Sequence, residues 1–206
     1  MTTNIDTAGI ERRARAAAYQ DGLTELFAAG VLVMIAVMWV ITPVFVGIVS
    51  AFVVLYGWKV VERIKQRITY PRIGYHVERP DEPRSTASGM LGFIGGAFAV
   101  MVLAVAMFGD LTDAAEWRRA ASLLSGLGLF GGFWYLGDKS GLLRHRFVAI
   151  YSVVTGVALW AIGTGASYEG VIWHLLGLAA LLAALGVWGL IHFLRTNPVV
   201  NAGSDA

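Results

Sequence analysis

Asp21 and Glu25, in the stretch Tyr-Gln-Asp-Gly-Leu-Thr-Glu-Leu over 19–26, are four residues apart and share a face of any helix that holds them both. Like charges at that spacing repel unless a cation sits between them. The nearest dense supply of cations is the strip 67–85, Arg-Ile-Thr-Tyr-Pro-Arg-Ile-Gly-Tyr-His-Val-Glu-Arg-Pro-Asp-Glu-Pro-Arg-Ser. A clasp of Asp21 and Glu25 with Arg67 or Arg72 is therefore expected; the alternative is that the acids merely complement the dipole of a helix start. Histidine offers a second chemistry. His174 and His192 are 18 residues apart, five full turns, which puts them on one face about 27 Å apart. That spacing suits one haem ligand at each membrane surface, but only His76 and His145 remain as opposing ligands and both fall on the same side, so no haem and no other cofactor is expected. The chain has no cysteine, which excludes disulfides, thiolate zinc sites, iron–sulfur clusters and covalently attached haem. No metal-ligand spacing, nucleotide loop, nucleic-acid motif or internal repeat stands out.

The elements that must position these residues are set by hydrophobicity. With 57% hydrophobic and 15% charged residues in 206, the composition is that of a membrane protein. Stretches free of Asp, Glu, Lys and Arg run over 26–58, 85–109, 120–137, 147–168 and 170–194. A bilayer core takes about 20 helical residues. The first stretch is too long for one crossing, and Thr42-Pro43 near its middle reads as the bend of a helical hairpin. The expected fold is all-α: a bundle of six transmembrane helices over about 24–41, 44–61, 89–109, 120–137, 147–165 and 171–193. Before it lies an amino-terminal segment, 1–23, read as an interfacial helix; a basic loop follows over 62–88, and a loose tail over 197–206.

Orientation follows from the positive charges, which are retained on the cytoplasmic side. Arg12, Arg13 and Arg15 precede the first span. Lys59 at the inner end of the second span is continued by Arg63, Lys65, Arg67, Arg72, Arg79 and Arg84 after it, Lys139, Arg144 and Arg146 follow the fourth, and Arg195 follows the sixth. Fourteen of the 16 basic residues thus share one side if both termini are cytoplasmic, leaving Arg118 and Arg119 opposite. Tryptophan agrees: Trp39, Trp117, Trp160 and Trp173 fall near outer ends and Trp58, Trp134 and Trp188 near inner ends, the depths an amphipathic ring prefers. The chain is expected to be a multi-pass protein of the cell membrane, the inner membrane where there are two.

On this topology the strip lies in the cytoplasm. Arg63, Lys65, Arg67 and Arg72 are close enough to attract anionic headgroups, each by about 1 kcal/mol. Tyr70 and Tyr75 bracket Tyr-Pro-Arg-Ile-Gly-Tyr, where Pro71 discourages helix at Tyr70 and Gly74 permits a turn. Arg63, Lys65, Tyr70 and Tyr75 are accordingly the expected contacts with membrane lipid, or with a protein partner at 62–88; no nucleic acid is expected. Between spans, Gly92 to Gly96 and Gly128 to Gly132, broadened by Gly95, Gly131, Ser122 and Ser125, are the expected close-packing surfaces.

Two resemblances bear on function. Asp-Gly-Leu-Thr-Glu (21–25) before the first span, paired with Tyr-Pro-Arg-Ile-Gly-Tyr (70–75) after the second, resembles a group of small, uncharacterised integral membrane proteins. The resemblance implies that these residues act together and brings no activity. Ser125-Gly126 and His174-Leu175-Leu176-Gly177 are similar to the nucleophile and base motifs of rhomboid-type intramembrane serine proteases, which would make Ser125 and His174 a catalytic pair. The pattern departs from that family at Leu123, where the family has glycine, in the short Thr42-Pro43 connection, and in lacking a His-x-x-x-Asn in the second span. Ion-coupled transport finds no charged residue in the middle of a span, with only Ser50, Ser152, Thr155 and Thr164 as polar groups there. The expected function is an accessory, scaffold or regulatory membrane component without catalysis, with small-solute transport or solute binding and intramembrane proteolysis as the other readings.

Overall fold

The computed structural model describes residues 16–41, 46–73, 114–163 and 168–198, the backbone alone for 46–55, 58 and 114–116, and every regular element among them is helical. After a helical turn over 16–19 come α1 (Leu23–Ile41), α2 (Val46–Ile68), the four-residue α3 (Tyr70–Ile73), α4 (Ala114–Ser140), α5 (Leu143–Ile162) and α6 (Glu169–Thr196). Four of them, α1, α4, α5 and α6, are long and apolar enough to cross a membrane. The expected first, fourth, fifth and sixth spans coincide with these four. The expected second span coincides with α2, which carries Lys59, Glu62, Arg63, Lys65 and Arg67 in its last turns and so is not as apolar as the others. The third span at 89–109, the Thr42-Pro43 bend, Gly74 onward in the strip, the glycines of 92–96 and most of the amino-terminal segment lie outside the described residues.

Why the helices begin and end where they do is legible at three glycines with positive φ: Gly22, Gly141 and Gly163. Gly22 lets the chain turn into α1, Gly141 separates α4 from α5, and Gly163 closes α5 in the left-handed conformation with its N–H on the Trp160 carbonyl. One expectation is corrected in part here. The turn expected at Tyr-Pro-Arg-Ile is present, but it is a turn of helix that includes Tyr70, with Arg72 and Ile73 N–H groups both donating to the Thr69 carbonyl. Pro71 sits in the first turn, where a missing N–H costs nothing because that group has no intrahelical acceptor.

The interior is shared by α1, α4, α5 and α6. Leu32 and Ala36 of α1 meet Phe133 of α4, Val148 of α5, and Leu175, Leu178 and Leu182 of α6, all buried. The outer surface is just as apolar, with Val33 and Val37, Ile150 and Val154, and Val187 and Ile191 exposed on three different helices. In water such a surface associates or aggregates, whereas in hydrocarbon it carries no penalty. An apolar exterior and a set of helices of spanning length together make this a membrane-embedded chain.

Without a hydrophobic drive between helices, association depends on close approach. The α4 and α5 backbones meet at Gly126 and Gly156, where an added Cβ would lie 2.7 Å from the Ser152 or the Ser122 carbonyl oxygen respectively. Ser152 Oγ also donates to the Gly126 carbonyl at 3.1 Å. The seam is therefore Ser122 and Gly126 against Ser152 and Gly156, each pair four apart. It is not the expected Gly128 to Gly132 surface: Gly128, Gly131 and Gly132 all face open space. Two residues along a helix is about 200° around it, so the neighbouring glycine row points away from α5.

Replacing Gly126 or Gly156 by leucine is expected to separate α4 from α5 and lower stability by about 1–3 kcal/mol or more, while Gly131→Leu leaves the detergent-phase melting temperature near that of the parent. Thermal unfolding of the three variants side by side checks it.

Candidate functional site

At one end of the bundle the start of α1, the last turns of α2, the α4–α5 connection and the end of α6 converge on buried charge. Asp21 precedes the helix, and its Oδ1 accepts the Leu23 N–H at 3.1 Å, a local bond of the kind aspartate makes where a chain turns into a helix. Its Oδ2 accepts the Thr69 hydroxyl at 2.7 Å and lies 3.7 Å from Lys65 Nζ. Lys65 donates to the Ala18 carbonyl at 2.7 Å and stands over the Tyr19 ring. Val61 and Lys65 of α2 and Thr69, whose N–H still bonds the Lys65 carbonyl just past the helix end, are buried at intervals of four, so one face delivers both partners to Asp21. Burial pushes the Asp21 carboxyl above its ordinary value of 3.8, and Lys65, Thr69 and the Leu23 N–H offset only part of that.

Glu25, one turn into α1, is the centre of a second set. Its side chain is 1% exposed and its Oε1 lies 2.6 Å from Arg144 Nε and 2.8 Å from His145 Nε2. The arginine contact is one of charge without hydrogen-bond alignment, because Nε and the second carboxylate oxygen, Oε2, both lack a hydrogen-bond partner. Arg144 instead donates through Nη2 to the Tyr19 carbonyl. A carboxylate can only accept, so His145 Nε2 carries the proton of that bond, and in the neutral ring Nδ1 accepts the Ser140 hydroxyl at 2.8 Å. Ser140 Oγ in turn accepts the Leu142 N–H at 3.2 Å, which fixes the turn between α4 and α5. Gly22 completes the node: a Cβ there would overlap the Gly186 carbonyl of α6, so the acid-bearing turn can lie flat against that helix only as glycine.

The order hydroxyl, imidazole, carboxylate at Ser140, His145 and Glu25 is that of a nucleophilic triad. Here the hydroxyl belongs to a residue 2% exposed and already accepts a backbone N–H, so it is enclosed in the α4–α5 turn and not presented to a substrate. Its physical effect is to hold the α4–α5 turn against α1. Among the described residues no three His, Cys, Asp or Glu side chains are grouped to hold a metal ion.

The residues singled out in the sequence fall as follows. Asp21 and Glu25 are both clasped, but by Lys65 and Thr69 and by Arg144 and His145; Arg67 is exposed on the opposite side of α2 and Arg72 donates to the Asn197 carbonyl at 2.7 Å, tying α3 to the end of α6. Arg63 is exposed, Lys65 is turned inward, the Tyr70 hydroxyl donates to Glu62 at 2.8 Å, and Tyr75 lies outside the described residues. Ser125 and His174 have separate partners. The Ser125 hydroxyl donates to the Ser122 carbonyl at 2.9 Å. Thr155 Oγ1, which donates to the Tyr151 carbonyl, sits 3.0 Å from His174 Nδ1, leaving His174 Nε2 buried without a partner. His192 is exposed and stacked on Trp188. Sequence reasoning missed Lys65, Thr69, Arg144, His145 and Ser140 as clasp members. The i, i+4 row of Val61, Lys65 and Thr69 carried the signal for two of them, since a lysine in register with an apolar residue is a candidate inward cation.

Comparison with protein-family models, with characterised proteins and with solved structures gives no match, so no activity is carried over from a relative.

Glu25→Ala leaves Arg144 and His145 facing each other in a dry site, and a loss of about 3–5 kcal/mol is expected. Arg67→Ala is expected to leave the unfolding midpoint unchanged, and chemical denaturation in micelles separates the two. For Asp21 the sign is set by its raised pKa. The protonated form is the one folding favours, so its contribution to stability is full below pH 3.8 and is lost as the pH rises through the raised value. Asp21→Asn is expected to remove that part of the acid-limb pH dependence, read as unfolding temperature against pH.

Proposed function

We propose that the protein is an accessory, scaffold or regulatory component of the cell membrane, without catalysis, that presents a rigid basic platform on the cytoplasmic side. The observation that carries this reading is the latching of one end of the bundle. Segments far apart in the chain, around 18–25, 65–72, 140–145 and 197, are joined there by buried and part-buried bonds, so that end is held as one plate rather than as independent loops.

Charge supports the cytoplasmic assignment, because Lys59, Arg63, Arg67, Arg146 and Arg195 are exposed on the last turns of α2, the first turn of α5 and the last turn of α6, all at the latched end. Arg119, by contrast, reaches the Trp160 carbonyl near the far end of α5. Chain direction supports six crossings with both termini on the platform side. α3 belongs to the latched end, while α4 begins a helix length away and reaches that end at Ser140, the order that a crossing between them would leave. The apolar stretch 89–109 is long enough for that crossing.

Because the chain has no cysteine, single cysteines report topology cleanly. Arg67→Cys and Arg195→Cys are expected to react with a membrane-impermeant maleimide only from the cytoplasmic face, and Ile41→Cys and Ile162→Cys only from the other. Purification of the tagged chain from native membrane is expected to bring a protein in fixed ratio. Labelling of Arg67 and Arg195 from different faces rejects the topology, and a retained small molecule in place of a protein shifts the reading to solute binding.

A further inference from the structure

Helix α2 has two unlike faces in its last turns. Val61, Lys65 and Thr69 form the buried row against the start of α1, whereas Lys59, Arg63 and Arg67 repeat the same interval of four and are exposed. Three apolar or aromatic side chains accompany them: Tyr56, Val60 and Ile64 are 57%, 51% and 39% exposed. At 3.6 residues per turn these six residues fall within an arc of about 140°, centred opposite the buried row, and extend about 17 Å along the axis. Lys59 Nζ lies 5.5 Å from the centre of the Tyr56 ring, so cation and aromatic act at the same level.

We propose that this face binds anionic lipid headgroups, with Lys59, Arg63 and Arg67 on the phosphates and Val60, Ile64 and the Tyr56 ring against the acyl boundary. The assignment rests on the cytoplasmic placement of the latched end. Charge complementarity selects an anionic ligand, and the interleaving of apolar groups selects lipid over an acidic protein surface. A headgroup layer sets phosphate directly above hydrocarbon, and long cationic side chains reach the first while short branched ones remain in the second. Lys65, which sequence proximity alone would add to the set, belongs to the clasp and takes no part. The membrane surface therefore meets three cations of α2, carried by a helix whose other face is fixed by Asp21.

The test uses the full chain in neutral detergent micelles, with retention of labelled phosphatidylglycerol measured against phosphatidylcholine. The parent is expected to prefer phosphatidylglycerol, and Lys59→Gln/Arg63→Gln/Arg67→Gln to lose about fivefold of that preference per cation. Its unfolding temperature in phosphatidylcholine is expected to stay that of the parent, since none of the three is in the clasp. Arg63→Gln alone is expected to show a single fivefold step, which keeps the test readable if the triple variant expresses poorly. Salt is expected to erase the preference in the parent. Equal preference in parent and variants overturns the proposal. So does loss of an acidic protein from the variant's purification with lipid preference unchanged, an outcome that leaves the scaffold reading standing. The scaffold reading fails separately, if labelling places Arg67 on the other face.

Discussion

A carboxylate buried at the end of a helix bundle has to be met by cations, and the fold is arranged around that requirement at Glu25. Taking an ion out of water costs several kcal/mol even after relaxation, and only a close opposite charge with hydrogen bonds offsets it. Arg144 and His145 supply both from the start of α5. This fixes the level of α5 against α1. The same arginine reaches back to the Tyr19 carbonyl, and the same histidine holds Ser140 and hence the turn from α4. One carboxylate thus positions three segments. Asp21, four residues earlier, is met by Lys65 and Thr69, which offset part of the cost of its burial and draw the last turns of α2 into the same plate.

Deeper in the bundle polar groups give way to contact. The Ser122, Gly126, Ser152 and Gly156 crossing brings two backbones together with a single side chain to backbone bond between them. It substitutes closeness for the hydrophobic drive that lipid does not provide. At the clasp both means of cohesion work together, because the Gly22 and Gly186 approach lies beside the ion pairs of Asp21 and Glu25.

A plate of this kind constrains function more than it specifies it. The charged groups of the clasp are turned toward one another, so among the described residues the cations left at the surface of that end are those of the exposed basic row on α2 and of the helix ends beside it. The Ser140, His145 and Glu25 chain shows how a catalytic-looking order of side chains arises from structure alone: a turn-capping hydroxyl, an inward ring and an acid at a helix start meet because each solves a local hydrogen-bonding problem. Ser125 and His174, similar in motif to a protease pair, resolve in the same way into a back-bonded serine and a histidine held beside threonine.

The sequence by itself determined that the chain is helical and membrane-embedded, and placed the four apolar helices within a few residues, because hydrocarbon imposes length and composition on any segment that crosses it. It also marked Asp21 and Glu25 as needing cations, from their spacing alone. Which cations answer them was decided only in three dimensions. Lys65 rather than Arg67 turns inward because two residues along α2 is nearly half a revolution, and Arg144 and His145 arrive from a point 119 and 120 residues away in the chain. The glycine seam shows the same limit: Gly126 and Gly128 read alike in the sequence, and only the neighbouring helix distinguishes the one whose missing side chain is needed.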